Sequence, residues 1–437
     1  MGIVAGDDAH PVPPGAVAVR PEDLRVGMYV DLNCSWFRHP FPWRAFKITS
    51  ESQLATIRGL CLASVLVFPK DSDRKSPTQE PSQPDSREET NALKPSANAL
   101  LPAGEHHADY HQAVQLATEV YQQVVQRSSQ MMKDVCNGSV DGLSNAKVMI
   151  NGISTLIANT EAASAMASLF DTEELDNVSL LHALNVATLA MMVAKHFKIG
   201  EEEMRLIGMA GLLHDIGEQR VPLRIVRNRS KITRVEALEY QRHAQHSVDM
   251  LTRFQGFPDE VLDIIRHHHE RLDGSGYPEK LKGDQIPLPT RIVSGVDQYD
   301  SLVNNPEAEQ ALSPAESLAH MYKNQKHLFS PEVIVAMIQT FGVYPPGTVV
   351  ALTDGTLGLV LNLNMEFRLK PLILAYNPAS PKATPDILDL SQDDQRTIVR
   401  AIPKHDLPRE IMDYLCLKRW TGYFIQSSIC TIREHAA

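Results

Sequence analysis

His214-Asp215-Ile216-Gly217, followed farther along by His268-His269-Glu270-Arg271-Leu272-Asp273-Gly274-Ser275-Gly276-Tyr277-Pro278, decides how this chain is read. A carboxylate has two oxygens and can bridge two cations, while the imidazole beside it binds one of them. Gly217 lets the chain turn close to such a site with no side chain in the way. His182, His243 and Asp297 add to the set, so seven imidazole or carboxylate groups (His182, His214, Asp215, His243, His268, His269, Asp297) lie on separate segments of one apolar, helix-patterned stretch. Such a set can hold two divalent cations close together, the equipment for attacking a phosphodiester.

The helical spacing supports convergence. His182 and Asn185 are three apart in an amphipathic run (Leu180, Leu181, Leu184, Val186, Leu189), so both can face one interior site. Leu206, Ile207, Ala210, Leu213 and Ile216 mark the buried side of the helix that ends at His214-Asp215. Taken singly, His182 reads as a core histidine, His243 and His246 as surface polar residues, and Asp297 as a cap. Together those bland readings demand several independent coincidences. Two divalent cations, two aspartates and a bridging hydroxide leave a net charge of about +1, which attracts a phosphodiester anion. Histidine and carboxylate without cysteine favour iron or manganese, with zinc, nickel and cobalt open, over copper(I) or an iron–sulfur cluster.

A chain of 437 residues with 43% hydrophobic content can bury large cores, and its length predicts two or three domains. The formal charge of −11, from 42 basic and 53 acidic residues, argues against coating nucleic acid, so DNA is not an expected partner. Cys34, Cys61, Cys136, Cys416 and Cys430 show no paired spacing, which fits a reducing cytoplasm and gives no local cysteine zinc site. No apolar run is expected to approach the ~20 residues of a membrane span, and the N-terminus lacks a signal-peptide layout. A cytoplasmic protein without membrane insertion is the expectation.

The fold class predicted is a multidomain α+β chain. Residues 16–69 form a small strand-rich module, with strands near Ala16–Val19, Gly27–Val30 and Val65–Phe68 and a helix from Glu51 to Ile57. Residues 70–104, polar and rich in proline and serine, read as a flexible linker. Residues 105–343 read as an all-α domain without a strand, beginning with a helix through Ala113, Leu116, Ala117, Val120 and Val124. Residues 344–437 read as a β appendage: a strand Thr348–Leu352, a hairpin at Asp354-Gly355, strands Leu357–Leu361 and Leu372–Tyr376, then a helix near Arg409–Leu417. No internal repeat is visible.

These motifs resemble the HD-GYP domain, a bacterial branch of the HD phosphohydrolase superfamily, over residues of about 150–340. His182-Ala183-Leu184-Asn185-Val186, Lys231-Ile232-Thr233 with Glu236 and His243, and Arg291-Ile292 leading to Asp297 and Asp300 match as well. Leu24-Arg25-Val26-Gly27-Met28-Tyr29-Val30, with Trp36 and His39-Pro40-Phe41, is similar to the small uncharacterised domain that often precedes it. The resemblance implies a cyclic di-GMP phosphodiesterase that opens the cyclic dinucleotide to pGpG and on to GMP. It implies one metal on His182, His214, Asp215 and Asp297, and another on Asp215, His243, His268 and His269. His214, Asp215 and Glu218 then stand in the catalytic position, and Arg220, Arg271, Asp273, Gly276, Tyr277 and Pro278 on the substrate side, where the loop could instead meet a diguanylate cyclase. A homodimer is also compatible.

Three departures bear on substrate grip. Glu218 stands where the family usually has a phosphate-gripping lysine, and an acid there repels the anion or adds a metal ligand. Val178 stands where three-metal members have a glutamate, so two metals are expected. The arginine-proline-tyrosine segment expected after Asp300 is missing from Asn304-Asn305-Pro306-Glu307-Ala308-Glu309. A compensating positive island lies downstream: Arg220, Arg224, Arg227, Arg229, Lys231 and Arg234, with no acid between Gln219 and Val235. The competing reading is a sensor or docking module with weakened catalysis. A phosphohydrolase for another nucleotide ranks third.

Overall fold

The computed structural model describes residues 16–33, 45–60, 62, 64–70, 72, 128–159, 165–170, 175–307, 309–362, 367, 369–380, 386–415, 417 and 420–425. The expected helix through Ala113 and Val124, the linker from 73 onward, and Trp36 with His39-Pro40-Phe41 lie outside these residues.

The chain divides into two compact units. In the N-terminal unit, β1 (Val17–Val19), β2 (Tyr29–Asp31), β3 (Ala45–Lys47) and β4 (Val65–Val67) form an antiparallel sheet in the order β1-β4-β2-β3, with α1 at Glu51–Gly59. Ser50 accepts a hydrogen bond from the Gln53 amide and so caps α1, which buries Leu54 and Ile57. The expected strands and helix are present. β3 was not expected: Ala45-Phe46-Lys47 holds no β-branched residue, whereas each of the other three strands carries valine.

The second unit is built on α2 (Val140–Asn159), α3 (Leu175–His196), α4 (Glu201–Leu213), α5 (Leu223–Arg227), α6 (Arg234–Gln241), α7 (His243–Leu251), α8 (Asp259–His267), α9 (Leu288–Val303), α10 (Pro314–His320) and α11 (Pro331–Phe341). Apart from α5 and α6, these helices turn apolar faces into one core that includes Leu143, Val186, Met191, Ile207, Leu251, Ile265, Val296 and Met337. α3 sits at its centre, which explains its composition. Its stretch Val178–His196 is long and apolar enough to cross a membrane, contrary to the expectation that no run approaches that length. Yet 78% of that stretch is buried inside the unit, as in the core helix of a helical domain.

After the helices, β6 (Val349–Leu352), β7 (Leu357–Asn362), β8 (Leu372–Ala375), β9 (Asp386–Asp389) and β10 (Ile398–Ile402) form an antiparallel sheet in the order β10-β6-β7-β8-β9. The central strands β6, β7 and β8 send side chains into a cluster on each face, so they read as apolar runs. Val349, Leu359 and Leu374 point into one cluster, and the alternate residues Val350, Val360 and Ile373 into another. The short helix α12 (Arg409–Tyr414) follows.

One feature departs from the strand-free reading of the central block. β5 (Ala165–Phe170) lies between α2 and α3 and pairs antiparallel with β11 (Trp420–Ile425), the last described strand, in the register Trp420↔Phe170 to Ile425↔Ala165. Ala-Met-Ala-Ser-Leu-Phe is no strong strand former alone; its partner lies far along the chain, and pairing of that kind leaves no local signal.

Candidate metal centre

Each histidine arrives from a helix end or a helix face. His214 caps the C-terminus of α4, His268 that of α8, and His243 opens α7. Their Nδ1 atoms donate to the carbonyls three residues earlier: His214 to Gly211 at 2.8 Å, His243 to Tyr240 at 2.7 Å and His268 to Ile265 at 2.6 Å. A carbonyl only accepts, so Nδ1 carries the proton and Nε2 of the neutral ring presents its lone pair. All three rings are fully buried.

Those lone pairs converge on Asp215. Its Oδ1 faces His243 Nε2 at 3.2 Å and His268 Nε2 at 3.6 Å; its Oδ2 faces His214 Nε2 at 3.3 Å and His182 Nε2 at 3.9 Å. One oxygen therefore serves each side. Asp297 on α9 lies 3.3 Å from His182 Nε2 and 3.8 Å from His269 Nδ1. Among the described residues two ligand groups form, His182-His214-Asp215 and Asp215-His243-His268-His269, each with ligand atoms within 4.8 Å of one another.

The donor set fits cations and fits a metal-free resting state poorly. His214 Nε2 and Asp215 Oδ1 are buried without a hydrogen-bond partner. His243 and His269 bring their Nε2 atoms to 3.0 Å, where two lone pairs would repel unless a proton or cation lies between them. Titration follows the same geometry. Burial pushes the His182 imidazolium toward losing its proton, but Asp297 and Asp300 overcome this and hold its pKa well above the usual value. Burial, then His268, His243 and Arg271, hold His269 well below it. Desolvation pushes the half-buried Asp215 carboxyl up, but His214 chiefly holds it well below the usual carboxylate range. Asp297 is lowered to about 2, with His182 as its main partner against burial.

Glycine is required at Gly217. A Cβ there would lie 2.2 Å from the His243 carbonyl and 2.4 Å from the Ser247 amide nitrogen. The Gly217 amide itself donates to Ser247 Oγ at 2.9 Å, so this turn and the start of α7 interlock.

Residues 153–333 match the family model described as an HD domain, and residues 17–143 match a domain of unknown function, DUF3391. The chain carries an HD domain. It is 28% identical over 411 residues to the cyclic di-GMP phosphodiesterase PA4108 of Pseudomonas aeruginosa, covering 91% of this chain and 94% of that protein. It is 35% identical over 151 residues to the cyclic di-GMP phosphodiesterase response regulator RpfG of Xanthomonas campestris pv. campestris, covering 34% of this chain and 40% of the relative. A 3'3'-cGAMP-specific phosphodiesterase 3 of Vibrio cholerae is 30% identical over 164 residues, 38% of this chain and 35% of that one. The resemblance read from the motifs, an HD-GYP architecture behind the small N-terminal domain, agrees with these matches.

Around the HD centre the remaining candidates separate. Glu218 lies outside both ligand groups: its buried carboxylate takes an ion pair from Arg229 and a hydrogen bond from Tyr240 Oη at 2.7 Å. Burial, then Asp215, raise its pKa, and Arg229 opposes them. The Arg229 guanidinium lies 4.6 Å over the Tyr240 ring, which in turn lies 4.7 Å from the His243 ring. Arg224 instead pairs with Glu236, the residue that completes the Thr233 capping box of α6, and Arg220 is exposed.

The loop after His269 divides likewise. Tyr277 places its ring 4.8 Å from that of His269. Arg271 lies 4.4 Å over Phe329, and its Nη1 donates to the His268 and Glu270 carbonyls and to Ser294 Oγ, so that nitrogen holds the end of α8. Asp273 is exposed and accepts the Ser275 amide, and Pro278 is exposed. At Gly276 a Cβ would lie 2.5 Å from the Arg271 amide nitrogen, the Glu270 Cα and the His269 carbonyl, so the loop folds onto its own stem. His267 turns away, toward Asp263 at 3.2 Å and Glu279 at 3.3 Å.

Sequence reasoning gave no role to Glu270, Tyr240 or the pairing of Arg229. Glu270 is buried and accepts the Glu279 and Leu281 amides at 2.7 and 3.0 Å, which pins the loop beyond Pro278. Tyr240 stands three residues before His243, a helical spacing that places the two on one side.

Proposed function

We propose that this chain is a metal-dependent phosphodiesterase for cyclic di-GMP, opening it to pGpG and on to GMP. The observation that carries the reading is Asp215, whose two oxygens face two separate imidazole sets, together with the likeness to the Pseudomonas phosphodiesterase over 91% of the chain. His182, His214, Asp215 and Asp297 would hold one cation, and Asp215, His243, His268 and His269 the other. Two cations held there would supply a nucleophile from water at neutral pH and would offset charge building on the phosphoryl oxygens. Iron or manganese suits this histidine–carboxylate set.

The chain's own residues do the rest. The Nδ1 hydrogen bonds hold three imidazoles in the tautomer that leaves Nε2 available. Tyr277 offers an aromatic face beside His269 for a guanine base. Arg229, held by Glu218 and stacked on Tyr240, offers its remaining N–H groups to a phosphate. On this reading Glu218 is a positioning residue that aims an arginine, in place of the usual lysine.

The test is metal analysis of anaerobically purified full-length protein beside turnover of cyclic di-GMP and of 3'3'-cGAMP, with Asp215→Asn as the reference variant. Ring opening that tracks bound metal and vanishes in the variant supports the reading. Preference for 3'3'-cGAMP would move the substrate. Metal-loaded protein that binds cyclic di-GMP without opening it favours the sensor reading, for which the acid at Glu218 is the motivating feature.

A further inference from the structure

Three histidines of the centre anchor Nδ1 on their own turn of chain. His182 does not. Its Nδ1 donates to Asp300 Oδ2 at 2.7 Å, a carboxylate on α9 that is itself fully buried. Asp300 Oδ1 accepts from two amides, Asn185 Nδ2 at 2.7 Å and Asn304 Nδ2 at 2.9 Å. Both amides also grip the main chain of β11. Asn185 Nδ2 donates to the Thr421 carbonyl at 2.9 Å, and Asn304 Nδ2 donates to the same oxygen at 2.8 Å. In return the Thr421 amide donates to Asn304 Oδ1 at 2.7 Å, and the Tyr423 amide to Asn185 Oδ1 at 2.9 Å. Each asparagine thus uses both N–H groups and its oxygen. The acceptance of main-chain N–H fixes which amide atom is oxygen. Tyr423 Oη lies 3.0 Å from Tyr299 Oη, beside Asp300 in sequence, so the strand is held at a further point.

We propose that β11 is a working part of the metal centre: its main chain, through Asn185 and Asn304, fixes the Asp300 carboxylate that orients His182. This rests on the metal reading above and adds to it an element more than a hundred residues beyond the last candidate ligand, Asp297. A carboxylate behind a ligating imidazole sets its tautomer and ring orientation, and loss of such a partner commonly weakens metal binding about 10- to 100-fold. When the Thr421 main chain is displaced, the buried Asn185 amide and the half-buried Asn304 amide lose partners and turn toward new ones, taking Asp300 off His182. The consequence is selective. The ion on His182 and His214 depends on β11; the ion on His243, His268 and His269 does not, because His243 and His268 are anchored on local carbonyls.

The experiment titrates the metal-free full-length chain with cobalt(II), following visible absorption and chelator competition, with a thermal melt to establish folding. Asn304→Ala, at a half-buried position, and Thr421→Pro, which removes the strand's N–H, are compared with Thr421→Val, which keeps the main chain. The first two are expected to weaken one of two ions about 10- to 100-fold and leave the other within about twofold, and Thr421→Val to match wild type. Should Thr421→Pro fail to fold, Asn304→Ala decides. Folded variants that keep both ions, or lose both equally, overturn the inference alone. Wild-type protein that takes up no cobalt overturns the metal reading as well.

Discussion

Replacing Gly217 with alanine adds one methyl group where the structure leaves no room. The new Cβ would sit 2.2 Å from the His243 carbonyl oxygen and 2.4 Å from the Ser247 amide nitrogen. Ordinary contact there is roughly 3.4 Å, so the turn and the start of α7 must separate by about 1 Å. Both atoms are backbone and cannot swing aside. Overpacking of this kind costs about 1–3 kcal/mol in stability. The functional cost is larger, because the separation draws His243 away from Asp215, now 3.2 Å from its Nε2. Ligand sets tolerate displacements of about 0.5 Å, so the ion on His243, His268 and His269 should be lost first. Gly152 is the control: it is exposed on α2, and a Cβ there meets nothing within 4 Å. Gly152→Ala should raise stability by about 0.4–1 kcal/mol and leave metal content alone. Metal per chain after anaerobic dialysis, beside denaturant melts, reads both effects. A Gly217→Ala protein that holds as much metal as wild type, equally tightly, would refute the interlock.

Arg229→Ala should raise KM for the cyclic dinucleotide about 10-fold with metal content unchanged, as expected for loss of one charge-assisted contact to phosphate. Glu218→Gln, which can still accept from Arg229 and Tyr240, should also keep its metal; a variant that loses an ion would make Glu218 a ligand. Metal uptake should release protons. With the His182, His214 and His243 pKa values raised before a metal binds, each keeps its proton to a higher pH than a free imidazole. Apparent affinity should therefore rise with pH and proton release on binding shrink, which an indicator dye in weak buffer measures. A release that grows with pH would contradict the assignment.

The sequence by itself determined the ingredients of this HD domain. Local spacing put His182 and Asn185 on one helix face, ended an apolar helix at His214-Asp215, and marked Gly217 as a close turn; helix period and turn chemistry are properties of neighbouring residues and can be read from them. Tertiary structure decided what those groups face. That Asp215 turns one oxygen to each imidazole set, that Glu218 is claimed by Arg229 and Tyr240, and that Nη1 of Arg271 holds a helix end depends on how separate helices pack. β5 and β11 were illegible for the same reason, since their hydrogen bonds join residues more than two hundred positions apart. Packing of that kind writes nothing into the local pattern of either segment, because each supplies only half of the contact.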